Sequence, residues 1–175
     1  MPKIAYLVRH AAPERNSHLR YDVAPGPSLA PDGYIQARHT AQFLADKEIC
    51  RLYHSPLQRA LETAAVIARH LGQPSWESEA LREWERGTPA ADIRQRMVAF
   101  WQTVMENGKG EGAAAFISHG GPIEQLLRHL TQDTLDLSGH RYFGGATTPL
   151  GGVWQLTQTN DIWQITLIFN PGDPA

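Results

Sequence analysis

Residues 4–10 read Ile4-Ala5-Tyr6-Leu7-Val8-Arg9-His10. Five apolar residues run without alternation, as expected of a strand buried on both faces, and the strand ends on two polar, nitrogen-bearing side chains. Outward from this stretch, strand and helix alternate. Residues 49–53 form a weaker strand. Residues 113–117 form a third, entered through the breakers Gly108, Gly110 and Gly112. Residues 153–157 and 162–169 are late strands, joined by Thr159-Asn160-Asp161 as a hairpin turn.

The intervening segments carry helical spacing. Tyr34, Ala37, Ala41 and Leu44 follow Pro31-Asp32. Ser55-Pro56-Leu57-Gln58 reads as a capping box with Pro at the first helical position. Leu57, Leu61, Ala64, Ala68 and Leu71 then make one apolar stripe, stopped by Gly72. Thr88-Pro89 opens a helix with Ile93, Met97, Phe100, Trp101 and Val104 on one side, and Ile123, Leu126, Leu127 and Leu130 line a last one. Strands alternating with helices predict an α/β fold with a mostly parallel sheet. Residues 139–152, with five glycines and Pro149, read as loop.

Composition narrows the function. The chain has 175 residues, 42% hydrophobic and 19% charged, which fits one domain, 1–175, and excludes disordered and fibrous classes. A net charge of −2 gives no global attraction to nucleic acid. The apolar run at residues 4–8 is too short to span a bilayer and unlike a secretory signal, so no membrane is expected and the cytoplasm is. The single Cys50 provides neither disulfide nor thiolate metal cluster. Of the 16 Lys and Arg residues, 13 are Arg, the better fork for phosphate and carboxylate oxygens.

In open α/β sheets, ligands bind beyond the carboxyl ends of the strands. Arg9-His10 follows the first strand, His54-Ser55-Pro56 the second, with Arg59 in the next helical turn, and Ser118-His119-Gly120-Gly121 the third. One rim thus receives His10, His119, Arg9 and Arg59, with helix N-termini behind Ser55 and Gly121 adding N–H donors. Taken singly, each of these residues reads as structural or solvated. Clustered and buried together, they call for an anionic guest.

Leu7-Val8-Arg9-His10, Ser55-Pro56-Leu57-Gln58-Arg59-Ala60-Leu61-Glu62-Thr63-Ala64 and Ser118-His119-Gly120-Gly121 resemble the histidine phosphatase, or phosphoglycerate mutase-like, superfamily. The segment from Leu29 to Ala37 is similar to its first-helix signature, and Leu81-Arg82-Glu83 before Gly87 to its acid loop. The resemblance implies a three-layer α/β/α sandwich and a metal-independent phosphatase without cofactor. His10 would be phosphorylated on Nε2, and Arg9, Arg59 and His119 would hold the phosphoryl oxygens. The flanking arginines would keep His10 neutral by charge repulsion. Glu83 would serve as acid and then base, with Glu85 a rival two residues on and Glu79 more distant. Asn16 and Gly120 would sit on the substrate phosphate. His18, Arg20 and Tyr21 lie on the loop after the nucleophile, within reach of substrate.

The pattern departs from the family in three places. Ala11 replaces the usual Gly, Pro13 a hydroxyl residue, and Ala30 a Thr cap, the last costing about 1 kcal/mol. Only residues 60–82 separate Arg59 from Glu83, and 84–118 separate Glu83 from His119, so the expected cap, about residues 72–95, is small and admits water. This favours a phosphatase over a mutase. The substrate class stays open between small phosphate esters and phosphohistidine proteins, the latter on the short length and on Phe143 with Thr147-Thr148. A non-catalytic phosphate-binding or protein-interaction relative is the remaining reading, against which the retained Arg9, His10, Arg59, Glu83 and His119 weigh.

Overall fold

The computed structural model describes residues 3–106, 112–160 and 162–172. Along the chain run β1 (Lys3–Arg9), α1 (Pro31–Leu44), β2 (Ile49–His54), α2 (Gln58–Leu71), β3 (Trp76–Glu77), α3 (Ala90–Trp101), β4 (Ala113–Ser118), α4 (Gly120–Leu130), β5 (Val153–Thr159) and β6 (Ile162–Phe169). They build a 6-stranded sheet of order β3-β2-β4-β1-β5-β6. The β3-β2-β4-β1 pairings are parallel, and β5 and β6 join antiparallel at one side.

The unbroken apolar run of β1 has a direct cause. Ala5 and Leu7 pack with Met97 and Trp101 of α3 and Ile123, Leu126 and Leu127 of α4. Tyr6 and Val8 pack on the opposite face with Ala41 and Leu44 of α1 and Ala60, Ala64 and Ile67 of α2. Helices therefore cover both faces, giving the three-layer α/β/α sandwich, and every side chain of β1 from Ala5 onward is buried whichever way it points. Trp101, Phe116 and Trp154 are among the largest fully buried side chains on the α3/α4 side.

Details depart from the sequence pattern. Ser55 is not the cap of α2. Its N–H still donates to Ile117 as a continuation of the β2–β4 ladder, at 3.0 Å, and Leu57 takes the cap position without a side-chain bond. The Ser55 hydroxyl accepts from Leu57 N–H at 3.2 Å, so it closes a local turn rather than the helix end. Val104 lies beyond α3, in a π-helical turn over Gln102–Glu106. The edge strand β3 is too short to leave a pattern, and Phe143–Gly145 forms a tight turn within the expected loop, with Gly144 and Gly145 both at φ 72°. Gly108, Gly110 and Asp161 lie outside the described residues, while Asn160 takes φ 51° at the end of β5. Within residues 72–95, β3 joins the sheet and Glu79–Leu81 forms one 3₁₀ turn before the loop that leads into α3.

Two glycines mark close approaches that set the site. A Cβ on Gly33 would collide with the Ala12 carbonyl, so α1 can carry the loop after His10 directly on its first turn. The Ala11 methyl turns into a small cluster with Leu29 and Ala37, where it is fully buried. Ala30 starts α1 without a side-chain cap, as an Ala must.

Candidate active site

Strand register brings the candidate residues together. Arg9 lies opposite Ser118 and His54 opposite Ile117, so β1, β2 and β4 end side by side. His10 N–H donates to the Ser118 carbonyl at 3.0 Å, which fixes the start of the loop after β1 against the end of β4. His119 leads into α4 and Arg59 stands in the first turn of α2. Ser118 in turn donates its hydroxyl to the Leu81 carbonyl at 2.7 Å and thereby ties down the segment that delivers Glu83.

The two imidazoles lie with ring centroids 5.1 Å apart. His10 Nδ1 sits 2.8 Å from the Ala11 carbonyl, an acceptor only, so Nδ1 carries the proton and Nε2 the lone pair. Arg59 Nε donates to that Nε2 at 3.1 Å. Arg59 Nη2 donates to His119 Nδ1 at 3.1 Å and reaches Glu83 Oε2 at 3.3 Å. With Nδ1 accepting, His119 carries its proton on Nε2 and donates it to the Ser55 hydroxyl at 2.8 Å. Thr63 stiffens the frame, accepting from Ala11 N–H at 3.0 Å and donating to the Arg59 carbonyl at 2.7 Å.

Burial sets the charges. His10 and His119 are 3% and 0% exposed. Burial pushes both pKa values well below the ordinary imidazole value, with Arg59 the next cause in each case. The expected repulsion from arginine is therefore real but secondary to desolvation. Arg9 is brought down to about 10 by burial, against the opposing pull of Glu83. Its Nη1 donates to the Thr148 carbonyl at 2.8 Å, while Arg9 Nε and Arg59 Nη1 are buried without a hydrogen-bond partner. Buried guanidinium donors of this kind are costly unless an anion meets them.

Glu83 is partly buried, and that burial raises its pKa against the lowering effects of the Trp84 N–H and the two arginines. Its Oε1 accepts from Trp84 N–H at 2.8 Å, which aims Oε2 at Arg59 and His119. Glu85 instead pairs loosely with Arg82 at 3.9 Å, as does Glu79, whose side chain is 74% exposed. Donor atoms of His10, Glu83 and His119 lie within 4.8 Å of one another, the spacing of a metal triad. Each of them, however, already lies against the Arg59 guanidinium, so a side-chain cation occupies the centre of the group.

Gly120 opens α4 with no room for a side chain, since a Cβ there would meet Ala146 Cβ at 2.6 Å. Asn16 is exposed on the loop after His10 and makes no hydrogen bond to His10, Arg9, Arg59 or His119 among the described residues. His18 and Arg20 are likewise exposed, whereas Tyr21 reaches the site through its backbone, its carbonyl accepting from Arg59 Nη2 at 2.7 Å. Sequence reasoning missed Ser55 as the partner of His119, and also Thr63. It missed the Thr148 and Tyr21 carbonyls because backbone groups leave no residue-type signal.

Comparison with known proteins identifies the family. A model of the histidine phosphatase superfamily (branch 1) matches residues 5–90 and 85–171. An uncharacterised protein of Mycobacterium tuberculosis is 44% identical over 159 residues, covering 72% of this chain and 77% of that protein. A putative phosphoserine phosphatase of Hydrogenobacter thermophilus is 38% identical over 85 residues, covering 49% of this chain but only 42% of the relative. In fold, the chain is similar to phosphoserine phosphatase of Entamoeba histolytica, solved in complex with 3-phosphoglyceric acid. The TM-score is 0.74 at 17% identity, covering 94% of this chain and 95% of that one. A match running from β1 into β6, over a sheet whose strand ends gather His10, Arg59 and His119, makes this chain a member of branch 1 of the histidine phosphatase superfamily.

Proposed function

We propose that the protein hydrolyses small phosphate monoesters through a phosphohistidine on His10. The observation that carries this reading is the fixed tautomer of His10, whose Nδ1–H is spent on the Ala11 carbonyl so that the Nε2 lone pair faces Arg59. Burial keeps that ring neutral and hence nucleophilic. In the first step Nε2 bonds to phosphorus while the ester P–O bond breaks, and the departing oxygen takes the proton of Glu83. In the second step a water oxygen bonds to phosphorus, the P–N bond breaks, and the proton released by water returns to Glu83.

Arg9 and Arg59 balance the charge spread over the phosphoryl oxygens, and their unpartnered Nε and Nη1 groups are satisfied as an oxyanion arrives. His119 presents a lone pair to the pocket in this tautomer, so it must gain a proton with the incoming dianion, whose charge opposes the effect of burial. The side-chain cations do the work of a metal, and no cofactor is needed. A small ester is favoured over a phosphoprotein because one relative, that of Hydrogenobacter thermophilus, is a putative phosphoserine phosphatase.

Phosphate release from a panel of small esters and from a phosphohistidine protein, in excess EDTA, tests the proposal. Release from at least one small ester, unaffected by the chelator, is expected. Release from the phosphoprotein alone, or restored only by added metal, would overturn it. Efficient isomerisation of 3-phosphoglycerate with little free phosphate would show a mutase instead.

A further inference from the structure

Resting on the reading of His10 as nucleophile, we infer that residues 20–22 form a strap that holds Arg59 against His10, and that Asp22 is the positioning residue that fastens it. Arg59 is fully buried, and the shortest hydrogen bond of its guanidinium is to the Tyr21 carbonyl, at 2.7 Å. The Tyr21 ring lies 5.5 Å from the guanidinium carbon, and its hydroxyl donates back to the Glu14 carbonyl at 2.8 Å. Held this way, Arg59 points Nε into the lone pair of His10 Nε2, the pair that must attack phosphorus. Nη2 meets three acceptors with two hydrogens, namely Tyr21 O, Glu83 Oε2 and His119 Nδ1. Nη1 is unpartnered, but phosphoryl oxygens can claim the Nε and Nη2 edge that faces His10 only after some of these bonds are given up.

The fastening is as well defined as the Arg59 contacts. Both oxygens of Asp22 accept from Arg20, Oδ1 from Nε at 3.0 Å and Oδ2 from Nη2 at 2.7 Å. Oδ2 also accepts from Arg86 N–H at 2.9 Å, on the loop that follows Glu83. One carboxylate thereby joins the loop after the nucleophile to the loop of the acid, and these bonds hold its pKa well below the usual carboxylate range. A cleft of about 660 Å³ is lined by Arg20, Tyr21, Asp22, Trp84 and Arg86, so the strap is one wall of it, beside the loop that carries Glu83. A strap held closed lowers apparent phosphate affinity by the fraction of molecules in which it is open.

The test is orthophosphate binding by calorimetry, together with amide hydrogen exchange over residues 19–23, on wild type, Asp22→Asn, Asp22→Ala and Arg20→Ala. Loosening the strap should speed exchange in phosphate-free protein and tighten orthophosphate by about 3- to 30-fold in Asp22→Ala. Asp22→Asn and Arg20→Ala should move the same way by less. KM for an ester should fall with kcat held or raised, a split that general damage to the fold would not give. In wild type, saturating orthophosphate should itself speed exchange of the strap. Orthophosphate that binds wild type without altering strap exchange, or binds Asp22→Ala and Arg20→Ala no more tightly than wild type, would overturn the strap and leave the proposed function standing. Failure of every form to bind orthophosphate would remove both.

Discussion

Arg59 Nε lies 3.1 Å from Nε2 of His10, so the guanidinium donates into the lone pair of the one unprotonated nitrogen of that imidazole. Burial holds the ring neutral first and this contact second, because a proton on Nε2 would face a cation at hydrogen-bond distance. In the proposed mechanism the contact would also place Arg59 beside the charge that develops on a phosphoryl group bonded to that nitrogen. The pair therefore reinforces burial in setting the protonation state of His10 and places a fixed positive charge beside its free nitrogen.

Replacing His10 tests the covalent route. His10→Ala should abolish turnover, together with an acid-labile, base-stable phosphoenzyme trapped by rapid quench. Loss of a covalent path costs several orders of magnitude, so residual turnover above about a tenth of wild type would exclude His10 as the nucleophile.

Arg59→Met should separate activity from stability. Loss of a preorganised donor to the phosphoryl oxygens should lower kcat by on the order of 10²–10³-fold. The unfolding free energy should change by less than about 1.5 kcal/mol, because removal of a buried, incompletely bonded cation offsets the lost hydrogen bonds. Arg59→Lys should not restore activity, since a point charge cannot bond His10 and His119 from two nitrogens at once. Assay of both variants beside urea denaturation checks this; a parallel collapse of activity and stability would mean that Arg59 acts chiefly as a structural residue.

The fold was legible because its signals are local. The apolar run before Arg9 and the αL glycine at Gly72, with φ 64°, survive in the structure as the central strand and the end of α2. The convergence of His10, Arg59 and His119 was legible for a topological reason, since parallel strands deliver their carboxyl ends to one rim. The cap at Ser55 was misread because its hydroxyl has two calls on it, the Leu57 N–H and a His119 ring that is distant in sequence. The Tyr21 and Thr148 carbonyls were invisible, as any residue type supplies the same oxygen. Glu83 could be preferred over Glu85 only by family spacing. The physical difference lies in the Trp84 N–H that turns one carboxylate inward and the Arg82 contact that keeps the other outside.

That difference predicts unequal losses. Glu83→Gln should slow esters of poor leaving groups by roughly 10²–10⁴-fold, while aryl phosphates whose leaving group departs unprotonated should suffer less in the first step. Glu85→Gln should change either rate by less than about twofold, as a solvent-facing carboxylate would. Burst kinetics separate phosphorylation from dephosphorylation. Equal losses for both ester types in the first step would remove Glu83 as the leaving-group acid.

Stability should depend on the two buried imidazoles with a definite sign. His10 and His119 have folded-state pKa values well below the ordinary one, so the unfolded chain takes up protons first as pH falls through about 6.5. Each ring should therefore withdraw up to about 1.4 kcal/mol of stability per pH unit from there down to its folded-state pKa. Glu83, raised by burial, works in the opposite direction, since the folded state holds its proton more tightly as pH falls toward the ordinary carboxylate range. Two rings against one carboxylate leave a net loss from pH 6.5 downward. His119→Asn should flatten the slope of unfolding free energy against pH by up to that single-ring amount, measured by urea denaturation between pH 7 and 5.5. Saturating orthophosphate should flatten it in wild type as well, by favouring the charged ring beside a bound dianion. An unchanged slope in His119→Asn would mean that the ring titrates in the folded protein as it does in water.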